Sequence, residues 1–419
     1  MSIEPTTRYT RKQMSGVREL PEDCTTVDLA DPWFFQLHDQ YELWRRLRAR
    51  NPVLWTEPGE GRPGFWSITR FEDVQRVYRD NRRFTSERGN VLTTLLAGGD
   101  SAAGKMLAVS DGERHRELRN VMLKAFSPRF LRSVERRVRD MADRLICEVV
   151  ERGGDFAADV AEKIPMGTIC HLLGVPESDQ AYLLTLTKSA LSSEHEDATE
   201  EAAVRARNEI LLYFLDLLDG IRKTPREGAI AALADGAAGG RPLTEEEIVF
   251  NCYSLVIGGD ETSRLSMIGA VHALAEHPEQ WKLLRAGKVG TDTAVDEVLR
   301  WTTPAMHFGR MTLEEVTIGS RTIGPDSVVV LWNTSANRDE EVFEEPDRFL
   351  LSRAANSHLT FGYGPHFCIG AYLGRAEVGA VLDALRTHAS ALELTGEPRR
   401  VHSNFLNGFS SLPVAFTPA

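Results

Sequence analysis

The sequence predicts a mainly α-helical single domain with small β-sheets. Three observations carry that reading. The middle of the chain is a succession of helical patterns. Short runs rich in Trp, Val and Ile flank it on both sides, too brief for a large sheet. No internal repeat, low-complexity tract or Pro-rich linker divides the 419 residues. A composition of 42% hydrophobic and 26% charged residues is globular, and a chain of this length can bury a large ligand.

The elements follow in order. Residues 1–25 read as a polar tail and residues 26–419 as the folded domain. Asp31 and Pro32 open a helical stretch, DPWFFQLHDQYELWRRLRAR. PVLWTE and GFWSITR read as short paired strands around a GEGRPG turn. FEDVQRVYRD is a short amphipathic helix with Phe71, Val74 and Val77 on one side. From Ser86 to Asp111 the pattern collapses into a long loop, and such loops in compact domains usually serve function. Helices resume in ERHRELRNVMLKAF, RFLRSVERRVRDMADRLICEVVER and DQAYLLTLTKSALS. An acidic connector, SSEHEDA, leads into a further helix. GGRPLTEEEIVF starts the longest one, with Thr244 and Glu247 in capping-box spacing. That helix extends to His277, before Pro278, and spans roughly 50 Å at ~1.5 Å per residue. The last third alternates helices with short strands such as VTIGSRTIGPDSVVVLWN.

Charge and cysteine usage narrow the function. Acidic residues outnumber basic ones 61 to 49, a poor balance for binding nucleic acid. Five cysteines in so long a chain make no disulfide framework. Their odd number, with several in apolar runs, fits a reducing cytoplasm. The N-terminal stretch is polar and shows no signal-peptide core or spanning segment, so a cytoplasmic protein free of membrane is expected.

Four local patterns carry chemistry. The first is FGYGPHFCIG, Phe361 to Gly370. Cys368 is ringed by Gly362, Gly364 and Gly370, which allow close backbone approach or positive φ, and a helical pattern follows it. A thiolate there gains from the helix dipole and free amides, which lower its pKa; it is a nucleophile or a metal ligand. The second is VIGGDETS in the long helix. Gly258 and Gly259 cost about 1 kcal/mol each relative to alanine, and Asp260, Glu261, Thr262 and Ser263 interrupt an apolar run. Either the helix ends there, or it is locally distorted at a functional acid–alcohol pair. The third is EVLRW, where Glu297 and Arg300 share a helix face; alone, the pair reads as a surface ion pair. The fourth is ERHRELR, where His115 and Arg119 share a face and offer two donors to an anion, or form a solvated basic face.

Taken together, these patterns resemble the cytochrome P-450 family. FGYGPHFCIGAYLGRAE matches the family's haem-binding loop at every fixed position. The His115/Arg119 pair, the GGDET helix and EVLR stand in the family's order, followed by Pro304 with Arg310, ANRD at Ala336–Asp339, and FEEPDRF. The resemblance runs from about Asp31 to Val414 and is to the soluble bacterial type. It implies the cytochrome P-450 fold, with haem between the long central helix and the cysteine loop. It implies haem b held by Cys368 as the proximal iron ligand, which favours O–O cleavage. Phe361, Gly362 and Gly370 would shape that loop against the porphyrin. His115, Arg119, Arg310 and His366 would hold the propionates. Glu297 and Arg300 would pair as a structural element, with Arg338 nearby. Glu261 and Thr262 would deliver protons for dioxygen activation, and Gly258 would leave room for oxygen.

The chain departs from the family in places. Gly374 stands where alanine is commoner, Ser263 replaces a second threonine, and Arg264 after the acid–alcohol pair is unusual. Facing the pocket, Arg264 could pair with Glu261 and disturb the relay; it is expected instead to point away, to solvent or a neighbouring helix. The resemblance also implies electrons from NAD(P)H through a ferredoxin reductase and a ferredoxin. Arg114, Arg116, Lys124, Arg129 and Arg132 are candidates for the ferredoxin-facing patch. A substrate pocket is expected from Val91, Leu92, Leu95, Leu96, Leu255, Val256, Ala305, Met306, His307, Phe405 and Leu406. Its apolar character suits a natural-product biosynthetic intermediate, free or tethered to a carrier protein, oxidised by a monomeric enzyme. Rival readings are a non-hydroxylating oxidation in the same fold (ring closure, aryl coupling, desaturation or nitration), a haem-thiolate sensor, and a cysteine hydrolase using Cys368 and His366.

Overall fold

A computed structural model of the chain describes residues 18–59, 61–191, 199–224 and 228–419. Most of the expected tail and the whole acidic connector fall outside those residues. Cys24, at the end of the segment read as tail, is buried in an apolar cluster with Phe35, Trp44 and Trp332.

Fifteen α-helices dominate the described residues. The first stretch is two helices, α1 (Pro32–Leu37) and α2 (Gln40–Arg50). It breaks because Asp39 caps α2, accepting from the N–H groups of Tyr41 and Glu42. The amphipathic α3 (Phe71–Arg79) is as expected. The loop after Ser86 holds a short helix, α4 (Leu92–Leu96). Next come α5 (Gly112–Ala125) and α6 (Pro128–Arg152). The sequence reading missed α7 (Lys163–Leu173), because KIPMGTICHLL is buried on nearly every side and shows no amphipathic period. Then follow α8 (Gln180–Leu191), α9 (Glu200–Lys223) and α10 (Ala229–Ala234).

The long helix, α11 (Glu245–Glu276), runs unbroken through Gly258 and Gly259. The expected boundary or distortion there is replaced by continuous α-helix. The capping box is present: Thr244 Oγ1 accepts from Glu247 N–H, and Glu247 Oε2 accepts from Thr244 N–H at 2.8 Å. Arg241 and Arg114 also bind Glu247. A Cβ on Gly259 would make ordinary van der Waals contact with Ile169 of α7, 3.5 Å away. The chain continues through α12 (Pro278–Arg285), α13 (Thr291–Thr302), α14 (Asn333–Ala336) and α15 (Ala371–His388). The sheets are small. The largest has five strands, in the order 53–56, 65–68, 328–332, 307–312, 84–85. Its 65–68 and 328–332 strands are parallel and its other pairs antiparallel.

Glu297 and Arg300 on α13 are fully buried, which removes the surface-pair reading. Their forks meet head on, with two N–H···O bonds of 2.8 Å. Glu297 also accepts from Arg353 Nε at 3.0 Å, Asn356 Nδ2 at 3.0 Å and Leu350 N–H at 2.8 Å. Arg300 donates to the carbonyls of Asn337, Pro346 and Arg348. Arg338 lies close by, its guanidinium stacked 3.7 Å from the Trp301 ring centre and 4.2 Å from that of Tyr41.

Two stability outcomes follow. Glu297→Gln leaves two buried guanidiniums facing a neutral amide, and should cost about 3–5 kcal/mol in urea unfolding. Burial alone would raise Glu247, but Arg241, the Thr244 N–H and Arg114 hold it down at about 2. Its carboxylate therefore stabilises the fold above its ordinary range, and that contribution is lost as pH falls through about 2. Glu247→Gln should cost about 1–3 kcal/mol at pH 7. In parallel thermal melts its difference from the parent protein should shrink steadily below pH 4.

Candidate functional site

The cysteine loop is built by steric demand. Gly362 and Gly364 have φ of +68° and +69°, the left-handed region that favours glycine. A Cβ on Gly364 would sit 2.7 Å from the Tyr78 carbonyl oxygen on α3. Cys368 N–H donates to Phe361 O at 2.9 Å, closing the loop just before α15 begins. Phe361, Gly362, Cys368 and Gly370 all line a cavity of about 1030 Å³. The thiol's environment differs from the expectation of a lowered pKa. Cys368 is exposed toward the cavity, yet desolvation by the protein around it pushes its thiol up, with the Gly370 N–H and the Arg119 and Arg375 guanidiniums pulling the other way. An iron ion would reverse that balance, since a coordinating thiol is deprotonated outright.

Four cationic or imidazole groups gather on one side of the cavity. His115 and Arg119 come from α5, Arg310 from the 307–312 strand, and His366 from the cysteine loop. The rings of His115 and His366 are 4.2 Å apart. Arg119 donates to the Phe367 carbonyl at 2.8 Å, tying α5 to the loop. Arg310 is buried, and its Nη1 donates to the Gly309 carbonyl at 2.7 Å. Burial, then the nearby His366 and Arg119 charges, push His115 down to about 4. His366 is also lowered, by burial first, although Asp111 opposes this.

Asp111 is the member of this cluster that sequence reasoning did not single out. It accepts from His366 Nε2 at 2.9 Å, Thr85 Oγ1 at 2.7 Å and Ser86 N–H at 2.6 Å. Burial would raise it, but those three partners hold it at about 2. The available signal was its place at the start of α5, four residues before His115. His366 thus turns Nε2 to Asp111, away from the cysteine–histidine pairing a hydrolase needs. Among the described residues, no group of three or more His, Cys, Asp or Glu could gather round a metal ion.

The opposite wall is α11. Gly258, Glu261 and Thr262 line the same cavity, and a Cβ on Gly258 would meet nothing within 4 Å. Thr262 Oγ1 donates to the Gly258 carbonyl at 2.8 Å. Arg264 does not line the cavity and reaches the neighbouring helical segment at Glu162, as expected, yet it also pairs with Glu261. It is fully buried, and its Nη2 holds Glu261 Oε2 at 2.6 Å. Its Nη1 lies 3.8 Å from Glu162, which pairs with Lys188 at 2.7 Å. The α-helical period places Arg264 one turn beyond Glu261 on the same face, and a guanidinium there could not stay buried without an anion.

The expected pocket residues divide. Val91, Leu255, Ala305, Phe405 and Leu406 line the cavity. Leu92, Leu95 and Met306 instead pack into the apolar cluster around Trp44 and Trp332, and partly buried Leu96 packs against that cluster. Val256 faces the helical core. His307 is fully buried, 4.8 Å from the Trp332 ring and 5.4 Å from that of Phe405. Helix and strand periods explain the split: residues three apart on α4 share its core face, and alternate residues of the 307–312 strand point oppositely. Phe308, next to His307, is the one that reaches the cavity. Of the expected basic patch, Arg116, Lys124 and Arg132 are exposed. Arg114 is committed to Glu247 and Glu117, and the Arg129 side chain lies outside the described residues.

Comparison with known proteins agrees with this geometry. Residues 291–398 match the family model described as Cytochrome P450. Cytochrome P450 NovI of Streptomyces niveus is 47% identical over 401 residues, covering 95% of this chain and 98% of the relative. A steroid C26-monooxygenase of Rhodococcus jostii (strain RHA1) is 31% identical over 415 residues, covering 96% of this chain and 86% of the relative. Among solved structures, P450 OxyD, involved in the biosynthesis of vancomycin-type antibiotics, superposes with a TM-score of 0.85 at 35% identity. That match covers 94% of this chain and all of the other. No helix among the described residues is long and apolar enough to cross a membrane. Full-length kinship at these identities, on a cavity walled by a cysteine loop and a long acid–alcohol helix, means that this chain belongs to the cytochrome P450 family of haem-dependent monooxygenases.

Proposed function

We propose that this P450 oxidises a mostly apolar biosynthetic intermediate of a natural-product pathway, with electrons from a ferredoxin. The observation that carries the oxygenase part is the single cavity, with Cys368 on one wall and Gly258, Glu261 and Thr262 on the other. The residues present fit haem. Arg310 is buried with no carboxylate paired to it among the described residues, and His115 Nε2 is buried with no hydrogen-bond partner. Unpaired buried cations and donors are costly, and the propionates of haem are the anions that would pair them. Haem, when bound, supplies an iron centre at which dioxygen is activated.

The chain's own groups then take defined roles. Cys368 would ligate the iron as thiolate, with Phe361, Gly362 and Gly370 shaping its loop. His115, Arg119, Arg310 and His366 would hold the propionates. Gly258 keeps space open beside the helix. Thr262 rests its hydroxyl hydrogen on the Gly258 carbonyl, which leaves its oxygen lone pairs to accept a hydrogen bond and so position a water in the cavity. Leu255, Val91, Phe308 and Phe405 exclude water around the substrate. The role of P450 OxyD in the biosynthesis of vancomycin-type antibiotics supports a tailoring role, and a substrate tethered to a carrier protein is part of this reading. So are a cytoplasmic, monomeric protein and a ferredoxin meeting Arg116, Lys124 and Arg132.

The assignment is tested by the carbon monoxide difference spectrum of the dithionite-reduced protein. A far-red-shifted Soret band is expected in the parent and absent in Cys368→Ala. A variant that keeps both the band and activity would overturn the reading. Thr262→Ala should bind substrate unchanged yet form on the order of tenfold less product per NAD(P)H consumed, a modest share of a proton-transfer contribution. Product measured against NAD(P)H oxidation checks this, and unchanged coupling would point to another proton path.

A further inference from the structure

A second cavity lies further along α11. It holds about 370 Å³ and shares no residue with the central one. Leu265, Gly269 and His272 form its α11 wall, at the spacing of one helix face. Trp301 near the end of α13, Arg338 just after α14 and residues 407–409 close it. Arg338 is 4% exposed, with the Trp301 and Tyr41 rings packed on its guanidinium. Its hydrogen bonds are few and long. Nε is buried with no partner, Nη2 reaches the Trp301 carbonyl at 3.5 Å, and Nη1 reaches Asp347 at 3.4 Å. Asp347 is 58% exposed, so water screens the charge it offers. Arg300, buried as deeply, has Glu297 and three carbonyls. A fork of five donors left this short of acceptors is costly in a buried place.

The other charged groups on this cavity are Asp39, Glu42, Arg45 and Arg400. Glu42 is spent on Arg45 at 2.7 Å and Arg46 at 2.8 Å. Asp39 caps α2, accepting from the N–H groups of Tyr41 and Glu42. Arg400 is exposed, lies over the Phe409 ring at 5.3 Å, and has no carboxylate partner among the described residues. Two guanidiniums with unused donors therefore face a cavity that also presents flat rings. The His272 and Phe409 ring centres are 4.5 Å apart. Burial first lowers His272, with Glu276 opposing, so its ring is neutral at pH 7 and open to stacking.

We propose that this second cavity binds a small aromatic carboxylate, its anionic end on Arg338 with Arg400 at the rim, and its ring among Trp301, His272 and Phe409. A guanidinium matches a carboxylate in both shape and charge. The aromatic walls favour a flat ring over an inorganic anion, which would leave the apolar part of the cavity unfilled. The space suits a single-ring acid and little more. The site is independent of the central cavity and of the oxygenase reading.

The test is equilibrium dialysis of the purified holoenzyme against labelled benzoate, at pH 7 and constant ionic strength. A saturable site holding one benzoate per chain is expected. Arg400→Gln changes an exposed side chain and leaves the core alone. It should weaken binding on the order of tenfold, the worth of one hydrogen bond to a charged group. Arg338→Lys keeps the charge but not the fork, and should weaken binding at least as much. Inorganic phosphate at the same concentration should displace little of the label. No saturable binding to the parent protein overturns the proposal. Unchanged affinity in Arg400→Gln also overturns it, since benzoate then sits elsewhere, and so does phosphate that competes as well as unlabelled benzoate.

Discussion

A carboxylate clamped between two guanidiniums sits at the base of this molecule. Glu297 takes Arg300 and Arg353, and between them these groups bind backbone at Asn337, Pro346, Arg348 and Leu350. Those residues belong to the irregular segment between α14 and the cysteine loop. It has little regular structure of its own, so its path is set by side chains reaching into it. Buried ion pairs add little net stability against an apolar alternative. What this one adds is geometric: a fully satisfied network admits few arrangements. The cysteine loop inherits its position from that constraint. Asn337 extends it, taking Leu359 N–H at 2.7 Å and donating to Thr360 Oγ1 at 3.0 Å, directly before Phe361.

The same economy of charge governs the cavity. Its walls bury both signs, and each buried group is either neutralised within the protein or left for a ligand. Asp111 balances the His366 side, and Arg264 balances Glu261. Arg310 and His115 are left over, and a buried guanidinium beside an unpartnered imidazole nitrogen on one rim defines where an anion must go. The substrate end is different in kind. Leu255, Phe308 and Phe405 offer area and shape, which admit many molecules of similar size. The cofactor end is therefore chemically specific, while the substrate end is only sterically so.

Much of this was legible in the sequence, for definable reasons. Helices with one wet face announced themselves, as did the capping box at Thr244, since local spacing encodes both. The Cys368 loop was legible because Gly364 answers to one contact, the Tyr78 carbonyl. What was hidden depended on burial. Glu297 and Arg300 look like a surface pair by spacing, and only tertiary packing buries them. Buried on nearly every side, α7 lost its period. Leu92, Leu95, Met306 and His307 carried the right hydrophobicity for a pocket but sat on the wrong face, because a one-residue turn of helix or strand decides which side is inside. Asp111 was missed because an acid's role depends on partners distant in sequence.

Arg264 shows how one such residue redistributes function among its neighbours. Asp260 and Glu261 are adjacent acids on a buried helix, and both cannot be charged there without a cation. Arg264, a turn away, binds Glu261 and leaves Asp260 to the Thr187 hydroxyl. Burial and the neighbouring Glu261 charge then raise Asp260. One acid is paired with a guanidinium and the other is pushed up by burial, although the two are consecutive in the chain. The side that each faces then decides its use. The guanidinium-paired acid looks into the cavity and the other looks away.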